Sequence, residues 1–144
     1  METAPRPMRP EEEAQVRAIF AACHPDWVPR MPDWYWAYPT LVIEREGGVV
    51  GFTSGSLSFG TTGLTLFGND VCVAPAWQGH GLGWALAEAR HAMGRAFGAT
   101  MFVGFTAVGN QAMRRIFQRQ GLHACQALPH FFGQEDGESW VGAL

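Results

Sequence analysis

One stretch of this chain combines backbone flexibility with the sequence pattern of an anion-binding loop. Residues 71–84 begin as an apolar strand pattern, turn at Pro75, and continue into a loop with glycines at alternate positions, Gly79, Gly81 and Gly83. Glycine lets an anion approach the main chain without interference from a Cβ atom. Such a loop exposes backbone N–H groups at the start of a helix, where a phosphate or pyrophosphate is stabilised. The stretch therefore predicts a phosphorylated cofactor and the place where it binds.

Two common phosphate-binding motifs are excluded by the residues of this loop. A P-loop ends in Gly-Lys-Ser/Thr, and the chain contains no lysine. A dinucleotide fingerprint needs a third glycine three residues after the second and an acidic residue about 20 residues later. Counted from Gly81 and Gly83, that third position is Leu86, and no acidic residue lies near Phe102. The alternative that remains is a glycine-rich turn between a strand and a helix that binds no ligand.

A second stretch carries the signals of a short amphipathic helix. Asn110 is a good N-cap, and Gly121 is a typical helix stop. Between them, apolar side chains recur at helical spacing, at Met113, Ile116 and Phe117. The spacing predicts a helix that turns these side chains inward and the neighbouring arginines outward.

The rest of the chain alternates between strand and helix patterns. A strand at residues 4–9 precedes a helix that begins at Pro10, and the Gly47-Gly48 pair predicts a hairpin turn. The further expected elements are strands at residues 40–45, 49–57, 64–73 and 100–106 (the last broken by Gly104), a helix from Leu82 that ends at Gly98, and two C-terminal strands. This order predicts a mixed α/β sheet.

Composition limits the class of protein. With 144 residues, of which 47% are apolar, the chain is long enough for one domain with a core, so we expect residues 1–144 to form a single domain. Charged residues make up only 16%, against roughly 25% in an average soluble domain. So weakly charged a surface is compatible with self-association as a homodimer.

Charge and cysteine usage exclude several kinds of partner. The net charge is −3 and the chain shows no basic stripe, which argues against nucleic-acid binding. No apolar run approaches the roughly 20 residues of a membrane span, and the start of the chain lacks a signal-peptide core. The cysteines Cys23, Cys72 and Cys125 lack the spacing of a metal site. We therefore expect a cytoplasmic protein with reduced thiols, no membrane partner and no metal.

The two stretches together resemble the GCN5-related N-acetyltransferases (GNAT). Gln78-Gly-His-Gly81-Leu-Gly83, after Val73-Ala-Pro75, is similar to that family's Gln/Arg-x-x-Gly-x-Gly/Ala acetyl-CoA motif. Asn110, opening a helix that closes at Gly121-Leu122, resembles the family's second signature. The resemblance covers about residues 3–128 and implies the GNAT fold, a mixed and mostly antiparallel sheet flanked by helices.

The resemblance also implies a cofactor site for acetyl-CoA. It implies that the backbone amides of the glycine loop hold the CoA pyrophosphate, from residues Gln78, Gly79, His80, Gly81, Leu82 and Gly83. The pantetheine arm would add like a strand to the backbone near Val71 and Val73. The resemblance implies that Asn110 and Phe117, from the second signature, also contact the cofactor. Phe117 stands where many relatives carry the tyrosine that protonates the departing thiolate. Phenylalanine cannot donate that proton.

Asp70 is the candidate general base. It lies three residues before Val73, where many GNAT relatives carry an acidic residue. The alternative is that Asp70 only anchors a substrate cation or a loop. His24 is a second candidate on chemical grounds alone.

An aromatic segment supplies the candidate acceptor site. The resemblance implies that residues 27–38 form the acceptor-side lid, where rings and a carboxylate would hold an amine by cation–π contacts and charge, with Trp27, Asp33, Trp34 and Tyr35 as the candidates. The alternative is that these rings close the core or a dimer face.

The expected function is therefore acetyl transfer from acetyl-CoA to the amine of a small acceptor, by direct attack in a ternary complex. Two alternatives stay open at this point. One is acetylation of a peptide or protein amine. The other is a catalytically silent module that binds acetyl-CoA as a sensor.

Overall fold

The computed structural model describes residues 3–26, 37–61 and 63–144. In these ranges the strands are β1 (Arg6–Pro7), β2 (Thr40–Arg45), β3 (Gly48–Gly60), β4 (Gly63–Val73), β5 (Met101–Ala107), β6 (His123–Phe132) and β7 (Glu135–Ala143). The helices are α1 (Glu13–Cys23), α2 (Leu82–Ala96) and α3 (Gln111–Arg119). In the described ranges, no helix is both long and apolar enough to span a bilayer.

The strands form one sheet of seven in the order β1-β2-β3-β4-β5-β7-β6. β4 runs parallel to β5, whereas the pairs β1–β2, β2–β3, β5–β7 and β6–β7 are antiparallel. A mixed and mostly antiparallel sheet with helices confirms the predicted fold class.

Most element boundaries agree with the sequence patterns, with two corrections. The first strand covers only Arg6–Pro7, shorter than the predicted residues 4–9, because the proline-rich start offers few N–H groups to a ladder. The fifth strand is continuous from Met101 to Ala107, so Gly104 does not interrupt it.

The chain divides into two compact units. The first comprises Met1–Gly55 and Asp70–Arg90, and the second Ser56–Asn69 and His91–Leu144. The expectation that residues 1–144 form a single domain stays a prediction.

The first unit buries apolar side chains on both faces of its strands. Successive strand residues point to opposite faces, and the neighbours Val42 and Ile43 on β2 belong to different clusters. Val42 packs with Phe20 of α1, while Ile43 packs with Leu86 of α2. The end of β4 is thus packed between α1, which precedes His24, and α2, which follows the glycine loop.

The second unit is built around an aromatic cluster. Phe102 of β5, Phe117 of α3 and Trp140 of β7 are all buried, with ring centroids 6.0 Å apart between the phenylalanines and 5.6 Å between Phe117 and Trp140. Gly104 lies against this cluster: a Cβ atom added there would lie 2.8 Å from Phe102 Cε1 and 2.8 Å from Phe117 Cζ. The glycine is therefore required by the close approach of two rings.

Substituting Gly104 by alanine is expected to destabilise the protein by about 1–3 kcal/mol, the usual cost of overpacking a core. Both rings are buried and pack against other side chains of the cluster, so that moving either ring disturbs its neighbours. Gly48→Ala is the matched control, because an added Cβ there meets no atom within 4 Å. Urea denaturation of both variants measures the difference, and equal free energies of unfolding would contradict the packing argument.

A charged cluster ties the start of the chain to β2. The Glu12 carboxylate accepts hydrogen bonds from Arg6 Nη1 and Nη2, at 2.8 and 2.7 Å, and from the Arg9 N–H at 2.7 Å. Arg6 also donates to Glu44 of β2. The hydrogen bond from Arg6 is the main cause that lowers the pKa of Glu12 to about 2, from an ordinary value of 4.5.

This pKa shift predicts a specific loss of stability in acid. A lowered pKa means that the folded state holds the carboxylate charged where the unfolded chain binds a proton. The contribution of Glu12 is therefore complete above its ordinary pKa of 4.5 and is lost as the pH falls toward about 2. Urea titrations across this range should show a smaller pH dependence for Glu12→Gln than for the wild type. Glu11→Gln, at an exposed position on the same turn, should retain the wild-type dependence.

Candidate active site

The glycine loop connects β4 to α2. After Val73 the chain makes a 3₁₀ turn at Pro75–Trp77, and α2 begins at Leu82. Gly79 and Gly81 have φ angles of +82° and +77°, a conformation that favours glycine because it has no Cβ atom. Two of the glycines that the sequence singled out therefore have a backbone reason to be there.

The backbone amides of this loop fall into two groups. Gln78 N–H donates to the Pro75 carbonyl at 3.4 Å, so this amide is used within the protein. In contrast, no carbonyl or side chain within the described ranges accepts from the N–H groups of residues 79–83. The N–H groups of the first helical turn point out of the helix end and carry its positive partial charge. The loop thus offers a run of amide donors to an anion.

Gln78 and His80 stand at the two sides of the loop. The Gln78 side-chain Nε2 donates to the Val73 carbonyl at 3.0 Å, which ties the loop to the end of β4. The exposed imidazole of His80 lies against Trp77, with ring centroids 6.3 Å apart. Contact of either side chain with a cofactor stays a prediction.

The edge of β4 changes its pairing before the strand ends. The register with β5 covers Thr65–Phe67 against Met101–Val103, whereas β4 itself continues to Val73. Within the described ranges, the last residues of β4 are thus not paired with β5. The side chains of Val71 and Val73 are partly buried against the cluster that includes Leu82 and Leu86. Binding of the pantetheine arm near Val71 and Val73 stays a prediction.

Two buried side chains hold the backbone of Asp70 in place. Its carbonyl oxygen accepts from Thr53 Oγ1 at 2.7 Å and from Arg90 Nη1 at 3.3 Å, and both donors are buried. Its carboxylate, 14% exposed, lies 3.7 Å from His24 Nε2, whose side chain is 32% exposed. The two candidate bases that the sequence proposed separately therefore lie side by side.

Two thiols lie next to this pair. Cys72 is buried in the core, and half-buried Cys23 donates to the Val73 carbonyl at 3.4 Å. A hydrogen bond between the two thiols lowers the pKa of Cys23 to about 7 and, together with burial, raises the pKa of Cys72 well above its usual value. Both cysteines, like Cys125, are free thiols.

The residues of the second signature lie in the second unit. The Asn110 side chain accepts from the Met113 N–H at 3.1 Å, which confirms its prediction as the N-cap of α3. Phe117 is only 2% exposed and packs in the aromatic cluster. Its ring thus contacts protein side chains, and a contact with the cofactor stays a prediction for both residues.

The candidate acceptor residues are not placed. Trp27, Asp33, Trp34 and Tyr35 all lie outside the described residues. Their assignment to an acceptor site stays a prediction from the sequence.

Comparison with models of protein families identifies the family of this chain. The model of the Acetyltransferase (GNAT) family matches residues 11–122, which include α1, the glycine loop and α3. The chain belongs to the GNAT family. The resemblance inferred from the two signatures is confirmed, and the family uses acetyl-CoA.

Solved structures show the same fold over nearly the whole GNAT chain. yncA from Salmonella typhimurium, solved with its cofactor acetyl-CoA, is 28% identical with a TM-score of 0.83, covering 100% of this chain and 94% of that one. Ribosomal-protein-alanine N-acetyltransferase from Brucella melitensis is 22% identical with a TM-score of 0.81, covering 99% and 100%. Arabidopsis thaliana Naa50, in complex with the bisubstrate analogue CoA-Ac-MVNAL, is 14% identical with a TM-score of 0.84, covering 98% of both chains. A search of curated proteins finds no match.

Sequence reasoning missed how the site of this GNAT protein is assembled. Cys23 ends α1 and His24 follows it, and 45 residues separate His24 from Asp70, which lies beside it on β4. The one local signal was the spacing of Asp70 and Cys72, two apart on a strand and hence on one face. Buried Arg90, which fixes the Asp70 carbonyl, gave no signal at all.

Proposed function

We propose that this GNAT protein transfers the acetyl group of acetyl-CoA directly to the amine of a small acceptor. The observation that carries the proposal is the run of amides at residues 79–83, which no described residue uses, at the N-terminus of α2. These donors suit the CoA pyrophosphate, because amides at a helix start bind phosphate oxygens. The unpaired edge at the end of β4 suits the extended pantetheine arm.

Asp70 is the proposed base of this reaction. The neutral amine attacks the thioester carbonyl, and the nitrogen must lose a proton as the C–N bond forms and the CoA thiolate leaves. Asp70 would accept that proton directly or through a water, with His24 beside it. General base catalysis of this kind contributes about 10²–10⁴-fold. Positioning of the amine against the thioester supplies much of the remaining rate.

Phe117 would donate no proton to the departing CoA thiolate. Phenylalanine has no proton to donate, and its ring is buried among other aromatic rings. A thiolate whose conjugate acid has a pKa of about 8.5 is a tolerable leaving group at neutral pH. The same observation favours the second candidate function, a silent acetyl-CoA sensor.

A thiol-release assay separates the candidates. Acetyl-CoA is supplied with alkylamines, aromatic amines, amino acids and short peptides with free N-termini, and CoA release is followed with a thiol reagent. Turnover with small amines supports the proposal, and turnover confined to peptides favours a peptide N-acetyltransferase. Tight CoA binding with no turnover on any amine favours the sensor. Mass spectrometry of the product fixes the acetylated nitrogen.

The acceptor class, the homodimer and the cytoplasmic location are part of the same proposal. The low fraction of charged residues, 16%, supports self-association. Light scattering at several concentrations measures the oligomeric state directly.

A further inference from the structure

Three metal-ligating side chains converge at one place in the first unit, and a fourth lies beside them. Cys23 and His24 come from the end of α1, and Asp70 and Cys72 from one face of β4. The ligand atoms of His24, Asp70 and Cys72 all lie within 4.8 Å of one another. The Cys23 thiol donates to the carbonyl of Val73, the residue next to Cys72, which brings a second sulfur close to the group. One imidazole, one carboxylate and one thiol thus surround a common point, and the Cys23 thiol lies beside Cys72, outside this group.

We propose that His24, Asp70 and Cys72, with Cys23 as the fourth ligand, form a binding site for a single zinc ion. Zinc prefers four ligands in tetrahedral geometry, drawn from cysteine sulfur, histidine nitrogen and carboxylate oxygen. Calcium and magnesium require sets made of oxygen atoms, which this group does not offer. The donor chemistry therefore points to zinc or a metal of similar softness.

The distances require only a small contraction. With bonds of about 2.0–2.3 Å, the ligand atoms of a tetrahedral zinc site stand about 3.3–3.8 Å apart. The observed limit of 4.8 Å therefore asks His24, Asp70 and Cys72 to close in by about 1 Å. Cys23 lies outside this limit and has to move further to become the fourth ligand. His24 and Asp70 have side chains 32% and 14% exposed, so their rotation is not blocked on every side and the ion has a path of entry.

The charges of the group balance when the metal is bound. Binding replaces the two thiol protons, which pass to solvent, so that two thiolates and the Asp70 carboxylate face the doubly charged ion. The guanidinium of Arg90, which donates to the Asp70 carbonyl at 3.3 Å, offsets the remaining negative charge. Arg90 is 2% exposed, so this charge acts in a region of low dielectric.

Occupation of this site would stop acetyl transfer. This consequence rests on the proposed function, because a carboxylate that ligates zinc is no longer a base for the amine. Binding and inhibition are therefore measured separately, and the binding measurement needs neither acetyl-CoA nor an acceptor.

The test uses Co²⁺ as a spectroscopic probe on the full chain, freed of metal by a chelator and kept reduced by a phosphine. We expect one Co²⁺ per chain, a thiolate-to-cobalt charge-transfer band, and visible bands of tetrahedral intensity that Zn²⁺ abolishes on addition. His24→Gln and Cys72→Ser should each weaken Zn²⁺ binding by more than about 100-fold, since even partners of ligands contribute 10–100-fold. Cys125→Ser, at an exposed thiol of β6, is the matched control and should bind like the wild type.

Three results would overturn the proposal. They are a cobalt spectrum without the charge-transfer band, a stoichiometry well below one, and equal affinity of His24→Gln and Cys125→Ser. His24→Gln is decisive if Cys72→Ser fails to fold, because His24 is partly exposed whereas Cys72 is core. If zinc binds but leaves thiol release unchanged, the metal site stands and the role of Asp70 as the base fails. If no turnover occurs with or without a chelator, only the proposed function fails.

Discussion

Replacing Gly81 by tryptophan is expected to weaken CoA binding at least about 100-fold while the chain still folds. Gly81 has a φ of +77°, and a Cβ atom added there meets no atom within 4 Å, so the indole would project into open space beside the loop amides. There it would block the approach of an anion to the backbone. Loss of two hydrogen bonds to a charged group, about 1.5–3 kcal/mol each, corresponds to about 100-fold or more in affinity.

Gly98→Trp is the control for this experiment. Gly98 follows the other end of α2, has a φ of +89°, and likewise leaves open space for a Cβ. Both variants therefore carry a similar backbone penalty, about 1–3 kcal/mol, but only Gly81→Trp obstructs the loop. Calorimetry with CoA and thermal unfolding by circular dichroism measure the two effects. Unchanged CoA affinity in Gly81→Trp would show that these amides do not hold the pyrophosphate.

Asp70→Asn is expected to lower turnover by about 10²–10⁴-fold, the range of a lost general base, with little change in CoA affinity. The structure makes this substitution mild for the fold. Thr53 and Arg90 bind the carbonyl oxygen of Asp70, not its carboxylate, and asparagine keeps that carbonyl and the shape of the side chain. The substitution removes the ability of the side chain to take up a proton and the negative charge that faces His24.

Single-turnover acetyl transfer and CoA titration are measured side by side, with a chelator present so that no metal occupies the carboxylate. Glu46→Gln removes one carboxylate at an exposed turn between β2 and β3 and should leave both quantities unchanged. Equal losses of turnover and CoA affinity in Asp70→Asn would instead indicate that Asp70 has a structural role.

Local sequence signals predicted the elements that depend on local chemistry. β2 runs from Thr40 to Arg45 as expected, and the Asn110 side chain caps α3 by accepting from the Met113 N–H. Gly98, with its positive φ, follows the end of α2. Such signals act within a few residues, so a single sequence is enough to show them.

Contacts between distant segments could not be predicted in the same way. The meeting of His24 with Asp70 depends on how α1 packs against β4, and no pattern within either segment encodes that distance. Gly104 gave a misleading local signal, because a glycine weakens an isolated strand but here makes room for two rings. A local signal could thus place the glycine loop between β4 and α2, but it could not show which side chains of separate elements lie together.

The packing around Phe117 restricts how this enzyme could gain a faster mechanism. A tyrosine hydroxyl is attached to Cζ, and Cζ of Phe117 lies 2.8 Å from where a Cβ on Gly104 would be, in a cluster with Phe102 and Trp140. Phe117→Tyr would place an oxygen inside this apolar cluster, where an unpaired hydroxyl is costly. The single change to tyrosine at position 117 would therefore lower the stability of the second unit. A hydroxyl at this position would require the surrounding rings to be repacked first.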